Sequence, residues 1–128
     1  MKWKLNYLPE VKKDFDSLDG NQKIFVRKAI EKTQQNPLPR SEGGYGISLG
    51  HKGTYNLTNY LEIKLRGAGI RVIYKLIRTE TEMLVVVIGM REDEDVYEVA
   101  QQRIEKHNLN DLMNYNDKII FIFQKGIN

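Results

Sequence analysis

The chain has 128 residues, of which 41% are apolar, and it contains no cysteine. This length fits one domain with its own core, and the absence of cysteine excludes a disulfide scaffold and thiolate metal sites. The formal net charge is +3, but residues 1–91 carry 16 Lys and Arg against 9 Asp and Glu (+7), whereas residues 92–128 carry 4 against 8 (−4). We therefore expect the larger, basic part to attract a polyanion or an acidic protein segment.

No segment of the chain has the length of a membrane span. The longest continuous apolar run, 83–88, is far shorter than the roughly 20 residues that cross a bilayer. The N-terminal residues also lack the apolar stretch of a signal peptide. We expect a soluble, cytoplasmic, unprocessed protein without membrane contact.

The first 36 residues predict a strand followed by a helical hairpin. Residues 2–8, KWKLNYL, alternate between polar and apolar side chains, as a half-buried strand does. Pro9 suits the first position of a helix that we expect to end near Leu18, and residues 19–21 are typical of a turn before a second helix. Apolar spacing predicts that the two helices bury Val11, Phe15, Leu18, Phe25, Val26, Ala29, Ile30 and Thr33.

The middle of the chain predicts an irregular crossing and then three strands. Residues 37–58 are rich in Gly, Pro, Ser and Thr, with a short strand at 45–49. Strands follow at 60–65, 70–77 and 83–88, and the last is apolar on both faces, which is typical of an interior strand. A final helix after the acidic residues 92–94 has an apolar stripe formed by Val96, Val99, Ala100 and Ile104.

Together these elements predict an α+β fold. An N-terminal strand and a helical hairpin would pack on an antiparallel-rich sheet of about four strands, followed by a C-terminal helix. We assign residues 1–107 to this domain. Residues 108–128, which include the apolar run 119–123, form a C-terminal extension that could add an edge strand or contact another protein.

The strands 60–65 and 70–77 flank a glycine turn, and their pattern predicts a register. Three apolar pairs then share one face: Leu65 with Ile70, Ile63 with Val72, and Leu61 with Tyr74. The other face brings Lys64 directly opposite Arg71, a like-charge pair that destabilises a sheet by roughly 0.2–1 kcal/mol. A bound phosphate would relieve this repulsion. Alternatively, the two side chains extend into water, or Glu62 screens them.

Two stretches in this order, YLEIKLRGAGIRVIYKLI and VVVIGMREDEDVYEVAQQRI, resemble the RelE/ParE superfamily of bacterial toxins, and most closely the RelE-type ribosome-dependent mRNA interferases. The resemblance covers residues 1 to about 107. It implies an endoribonuclease that cuts mRNA in the ribosomal A site with neither cofactor nor metal, by attack of a ribose 2′-hydroxyl on the adjacent phosphate. It also implies a cognate antitoxin as partner.

The resemblance also implies roles for individual residues. Lys64 matches a basic residue of the family's site, Arg71 the arginine that stabilises the phosphate, and Arg91 the arginine after the last core strand. Tyr97 matches an aromatic residue that stacks on a base. The RNA-binding residues would be completed by Arg66 and Lys75.

Two acidic residues depart from the family's pattern, since Glu62 and Asp93 stand where positive charges are expected. Glu62 could itself be the general base, because a glutamate is ionised at neutral pH, whereas Lys64 is more basic but is normally protonated. These alternatives stay open. His51 is a third candidate, since imidazole titrates near neutrality.

Two other functions are compatible with the same pattern. A ParE-like inhibitor of DNA gyrase shares the fold but lacks the nuclease site, and a noncatalytic protein could bind the antitoxin and co-repress the operon. In every case we expect an antitoxin segment to cover the apolar side chains of Val96, Val99 and Ile104.

Overall fold

A computed structural model describes residues 3–91 and 96–111 of the chain. Its three helices are α1 (Val11–Asp16), α2 (Gly20–Gln35) and α3 (Val96–Lys106). The first helix ends two residues earlier than the pattern suggests, because the Ser17 hydroxyl donates a 2.7 Å hydrogen bond to the Asp14 carbonyl and the chain turns there. Asp19 caps α2, and its side chain accepts from the Gln22 amide at 2.8 Å.

Among the described residues, the main sheet has five strands in the order β1-β7-β6-β5-β2. The strands are β1 (Lys4–Tyr7), β2 (Ile47–Ser48), β5 (Tyr60–Leu65), β6 (Ile70–Ile77) and β7 (Glu82–Met90). β1 pairs with β7 in parallel, and the other pairs are antiparallel. The α+β class is confirmed, as is the interior position of the apolar strand β7.

The register of the β5–β6 hairpin is confirmed pair for pair. Lys64 lies opposite Arg71, Glu62 opposite Ile73, and Tyr60 opposite Lys75. Polar and apolar residues alternate along β5, whereas β6 has the apolar run 72–74, in which Ile73 lies opposite Glu62. A shift of one residue would turn Lys64 and Arg71 to the apolar face.

Both faces of this hairpin are covered. On one face the Tyr74 hydroxyl donates a 2.7 Å hydrogen bond to the Pro37 carbonyl at the end of α2. On the other face the Tyr60 hydroxyl donates a 2.9 Å bond to Asn110, in the 3-10 turn that follows α3. The face that carries Lys64 and Arg71 is therefore the face that α3 approaches.

Helix α2 buries a narrower stripe than its sequence suggests. Val26, Ile30 and Thr33 are buried, but Phe25 is 56% exposed, so its expected place in the core is wrong. Successive helical residues point about 100° apart, and only the stripe at i, i+4 and i+7 faces the sheet.

The crossing at residues 37–58 contains an additional small hairpin. The expected strand at 45–49 is reduced to the two residues of β2. After it, β3 (His51–Lys52) and β4 (Tyr55–Asn56) pair around a turn in which Gly53 has φ +62°. Strands of two residues are too short to show alternation, so the sequence pattern missed this hairpin.

The chain's own sheet covers the apolar stripe of α3. Val96, Ala100 and Ile104 are buried, and the side chain of Val96 contacts β7 at Gly89. The expectation that an antitoxin must cover Val96 and Ile104 is therefore wrong, whereas Val99 is only partly buried by the chain itself. Most of the predicted C-terminal extension, together with Asp93, lies outside the described residues, and its boundary at 107 stays a prediction. Among the described residues, the helices are too short or too polar to span a bilayer.

Candidate functional site

The turn between β5 and β6 is the centre of the candidate site. Residues Arg66–Ala68 form a 3-10 turn that ends at Gly69 with φ +68°, a backbone conformation that favours glycine. The amide of Arg91, which directly follows β7, donates a 2.7 Å hydrogen bond to the Gly69 carbonyl. This bond fixes the end of β7 beside the turn.

A cavity of about 330 Å³ opens next to this turn, and three arginines line it. Arg66 comes from the turn, Arg71 from β6 and Arg91 from the end of β7, with Met90 beside them. Among the described residues that line this cavity, none is a carboxylate. Guanidinium groups are permanently charged and bind phosphate through two parallel hydrogen bonds, so this arrangement suits a phosphate group.

Arg71 is not a free cation, because its charge is compensated inside the protein. The Glu62 Oε1 atom lies 3.7 Å from the Arg71 Nε atom, and the two side chains are 1% and 7% exposed. Arg71 also donates a 3.1 Å hydrogen bond to the Ile70 carbonyl. The sequence allows three ways to relieve the repulsion between Lys64 and Arg71: a bound phosphate, extension of both side chains into water, or screening by Glu62. The observed geometry corresponds to screening by Glu62.

Tyr97, on α3, contacts the same glutamate. Its hydroxyl donates a 3.1 Å hydrogen bond to Glu62 Oε1. Burial raises the pKa of Tyr97, and the negative charge and hydrogen bond of Glu62 raise it further, so the phenol is protonated at neutral pH. The Lys52 ammonium lies 5.5 Å from the centroid of the Tyr97 ring. In this arrangement Lys52 occupies a ring face that a stacked base would use.

Lys64 and His51 are the other candidate bases. Lys64 is half-buried directly opposite Arg71, although it does not itself line the arginine cavity, and it forms no ion pair with any residue that the structure describes. His51 is exposed on β3 and does not line the arginine cavity.

Lys75 lies apart from the arginines. It is four residues along β6 from Arg71, which corresponds to about 13 Å in a strand. It lines a separate cavity of about 670 Å³ at the opposite end of the hairpin, with its ammonium 5.0 Å from the Tyr60 ring centroid. Burial lowers the pKa of Lys75. The structure thus brings Arg66, Arg71 and Arg91 together and leaves Lys75 outside their cavity.

A polar clamp that the sequence pattern missed holds α3 in place. Arg103 on α3 donates hydrogen bonds of 2.6 and 2.9 Å to the Asp14 carboxylate on α1. Arg103 also donates to the Val86 carbonyl at 3.0 Å, and the Ile88 amide donates to Asp14 at 3.0 Å. Because β1 ends before these positions, the side chains of Asp14 and Arg103 bind the backbone groups of β7 that a neighbouring strand would otherwise bind. The clamp therefore joins both helices to the sheet.

A second contact joins the ends of the same two helices. The Glu10 carboxylate pairs with Lys106 at 3.0 Å and with His107 at 2.9 Å. Burial alone would raise the pKa of Glu10, but the hydrogen bonds from His107 and Lys106 outweigh it and hold that pKa at about 2. Together with the clamp, this contact keeps α3 over the face that carries Glu62.

The fold is that of a small α+β protein, and comparison with known proteins confirms the resemblance to RelE toxins that the sequence predicts. The chain is 29% identical over 104 residues to an Escherichia coli protein described as a RelE-like toxin. The aligned region covers 81% of this chain and 99% of that protein. No protein-family model matches the chain.

Solved structures show the same fold. The isolated RelE toxin of Escherichia coli superposes with a TM-score of 0.58 at 22% identity, over 80% of this chain and 98% of that one. The toxin–antitoxin complex RelBE2 of Mycobacterium tuberculosis contains a chain that superposes with a TM-score of 0.57 at 17% identity, over 71% of this chain and 100% of that one.

Proposed function

We propose that this protein is the toxin of a toxin–antitoxin system and acts as a metal-independent endoribonuclease on mRNA in the ribosomal A site. The observation that carries the proposal is the cavity in which Arg66, Arg71 and Arg91 meet beside the β5–β6 turn. The similarity to RelE-like toxins over 104 residues supports it.

In the proposed reaction the ribose 2′-oxygen forms a bond to the adjacent phosphorus while the bond from phosphorus to the 5′-oxygen breaks. A base removes the 2′-hydroxyl proton, and water supplies a proton to the departing 5′-oxygen. The products are a 2′,3′-cyclic phosphate and a 5′-hydroxyl. Negative charge develops on the phosphoryl oxygens, so fixed cations accelerate the reaction by stabilising that charge.

Arg91 and Arg71 would supply this stabilisation, with Arg66 binding the RNA backbone beside them. Arg91 is exposed and can receive a phosphate without rearrangement. Arg71 must first exchange Glu62 for the phosphate. A phosphodiester has two non-bridging oxygens, as a carboxylate does, but negative charge accumulates on them in the transition state, where Arg71 would stabilise them most strongly.

The two leading candidates for the base differ in how far a substrate could approach their side chains. Glu62 is fully buried beneath Tyr97, whereas Lys64 is half-buried and directly opposite Arg71. We therefore propose Lys64 as the base and Glu62 as the group that positions Arg71 and Tyr97.

We further propose an antitoxin as the protein partner. The similar chain from Mycobacterium tuberculosis was solved in a toxin–antitoxin complex. The excess of positive charge in residues 1–91 would attract an acidic segment of such a partner.

The buried Glu62–Arg71 pair also favours a second candidate function. A site whose central arginine is already neutralised could belong to a noncatalytic protein that binds an antitoxin and represses transcription with it. Primer-extension mapping of a message translated in a purified system distinguishes this noncatalytic function from a nuclease.

In that experiment the wild-type chain is compared with Arg91→Ala, and Arg40→Ala is the matched control because Arg40 is an exposed arginine outside the arginine cavity. Ribosome-dependent breaks that the Arg91 variant loses and the Arg40 variant keeps would support the nuclease. An intact message would reject it, and assays of gyrase supercoiling and operator binding would then test the two noncatalytic functions.

A further inference from the structure

A second cavity, of about 440 Å³, lies beside the same β5–β6 turn and contains an exposed aromatic side chain. Phe25 of α2 and Leu65 of β5 line it, together with the turn residues Arg66, Gly67 and Ala68. Phe25 is 56% exposed, one of three large apolar side chains that the described part of the fold leaves in solvent. A single exposed apolar residue on a flat surface is ordinary. A cavity lined by apolar and aromatic side chains is typical of a ligand-binding site.

The two cavities share the residues of the turn. Arg66, Gly67 and Ala68 line both the apolar cavity and the arginine cavity. A cationic cavity and an apolar aromatic cavity therefore lie next to each other, with Arg66 at both. A nucleotide has the matching chemistry, since its phosphate is anionic and its base presents an aromatic face.

The rim of the apolar cavity can contact the edge of a base. Asn21 and Gln22, in the first turn of α2, contribute side-chain amides there. The Gln22 oxygen accepts from the Asp19 amide, so its NH₂ group is the part that can donate to a ligand.

Arg66 is the cation that lines the cavity, and the Asp19 carboxylate at the N-cap of α2 lines it as well. The four cations of α2 do not line it: Lys23 and Arg27 lie over the Phe15 ring, Lys32 lies over the Tyr45 ring, and Lys28 is exposed. A phosphate at this cavity would therefore lie against Arg66.

We propose that this cavity is a base-binding subsite, in which an unpaired base of the RNA strand stacks on Phe25 while a phosphate of the same strand lies against Arg66. This inference rests on the proposed function and names an additional contact of the substrate. The two cavities on either side of the turn would hold one continuous strand, so the subsite accepts a nucleotide adjacent to the cleaved bond.

The test measures binding of the full chain to ribosomes programmed with a message that carries 2′-O-methyl groups in the A-site codon, so that no 2′-hydroxyl can attack there. A single abasic residue is moved through that codon and its neighbours. For the wild-type chain, one abasic position should weaken binding roughly tenfold, within the range that loss of one base–aromatic stack produces. Phe25→Ala should bind the intact message more weakly by a similar factor and be insensitive to the abasic residue at that position.

Ile24→Ala is the matched control, because Ile24 is 51% exposed on the same helix but does not line the cavity. It should bind like the wild type, and Phe25→Trp should retain both the affinity and the response to the abasic residue. Equal affinity of the wild type and Phe25→Ala, or an unchanged abasic response in that variant, would overturn the inference while leaving the nuclease proposal intact. A wild-type chain that neither binds programmed ribosomes nor cuts an unmodified message would instead overturn the proposed function itself.

Discussion

The Glu62 carboxylate and the Arg71 guanidinium form an ion pair inside the sheet face that α3 covers, with Glu62 Oε1 3.7 Å from Arg71 Nε. The side chains are 1% and 7% exposed, so solvent screens their attraction very little. Tyr97 donates to the same carboxylate at 3.1 Å. One acidic residue thus joins the candidate phosphate-binding arginine to the C-terminal helix.

Glu62→Gln should destabilise the protein by about 3–5 kcal/mol, because it leaves the Arg71 charge buried without its counter-ion. Urea unfolding measures this change, with Glu31→Gln as a control on an exposed glutamate of α2. Added inorganic phosphate should then stabilise the Glu62 variant more than the wild type, since binding to the folded state shifts the equilibrium. A variant as stable as the wild type would show that the pair does not hold this face together.

Tyr97→Phe should lower the free energy of unfolding by about 2 kcal/mol, the scale of a hydrogen bond to a charged group. Tyr45→Phe is the matched control, because Tyr45 is 48% exposed. If the ring also contacts RNA, Tyr97→Phe should retain message cleavage, whereas Tyr97→Ala should lose it. Loss of cleavage in the phenylalanine variant would assign the function to the hydroxyl instead.

The clamp between α1 and α3 should not tolerate exchange of its charges. Asp14→Asn should destabilise by about 3 kcal/mol, since the Arg103 charge loses its partner. The double exchange Asp14→Arg with Arg103→Asp should remain as unstable as the single variant. The Ile88 amide needs an acceptor where Asp14 lies, and the Val86 carbonyl needs a donor where Arg103 lies. Recovery of wild-type stability in the exchanged variant would show that only the charge pair matters.

Acid should weaken the contact between Glu10 and the end of α3. The pKa of Glu10 is lowered from 4.5 to about 2, so its stabilising effect is present above about pH 4.5 and is lost as the pH falls toward 2. The difference in urea midpoint between the wild type and Glu10→Gln should therefore be larger at pH 5 than near pH 2, where it should largely disappear. A difference that persists at pH 2 would exclude this ionisation as its cause.

The sequence pattern predicts the hairpin at the centre of the site better than any other part of the fold. The bounds 60–65 and 70–77 and the register between them follow from the alternation in β5 and from the apolar pairs that the glycine turn brings opposite each other. Alternation also placed Glu62 and Lys64 on one face, but it could not show that α3 buries the first and leaves the second half-exposed. That difference depends on tertiary packing.

Long-range pairs were beyond the reach of the pattern. Asp14 and Arg103 are 89 residues apart, and a single sequence contains no signal that joins them. The helical spacing places Phe25 in the core, but the buried stripe of α2 is too narrow to include it, and its width depends on how the helix packs on the sheet.

The most direct test of the nuclease is the chemistry of the cut ends. A message translated in a purified system is exposed to the wild-type chain, and the fragments are analysed for their terminal groups. We expect a 2′,3′-cyclic phosphate on the upstream fragment and a 5′-hydroxyl on the downstream one, only when ribosomes are present and not with Arg91→Ala. An intact message, or fragments that begin with a 5′-phosphate, would contradict cleavage by the 2′-hydroxyl at the arginine cavity.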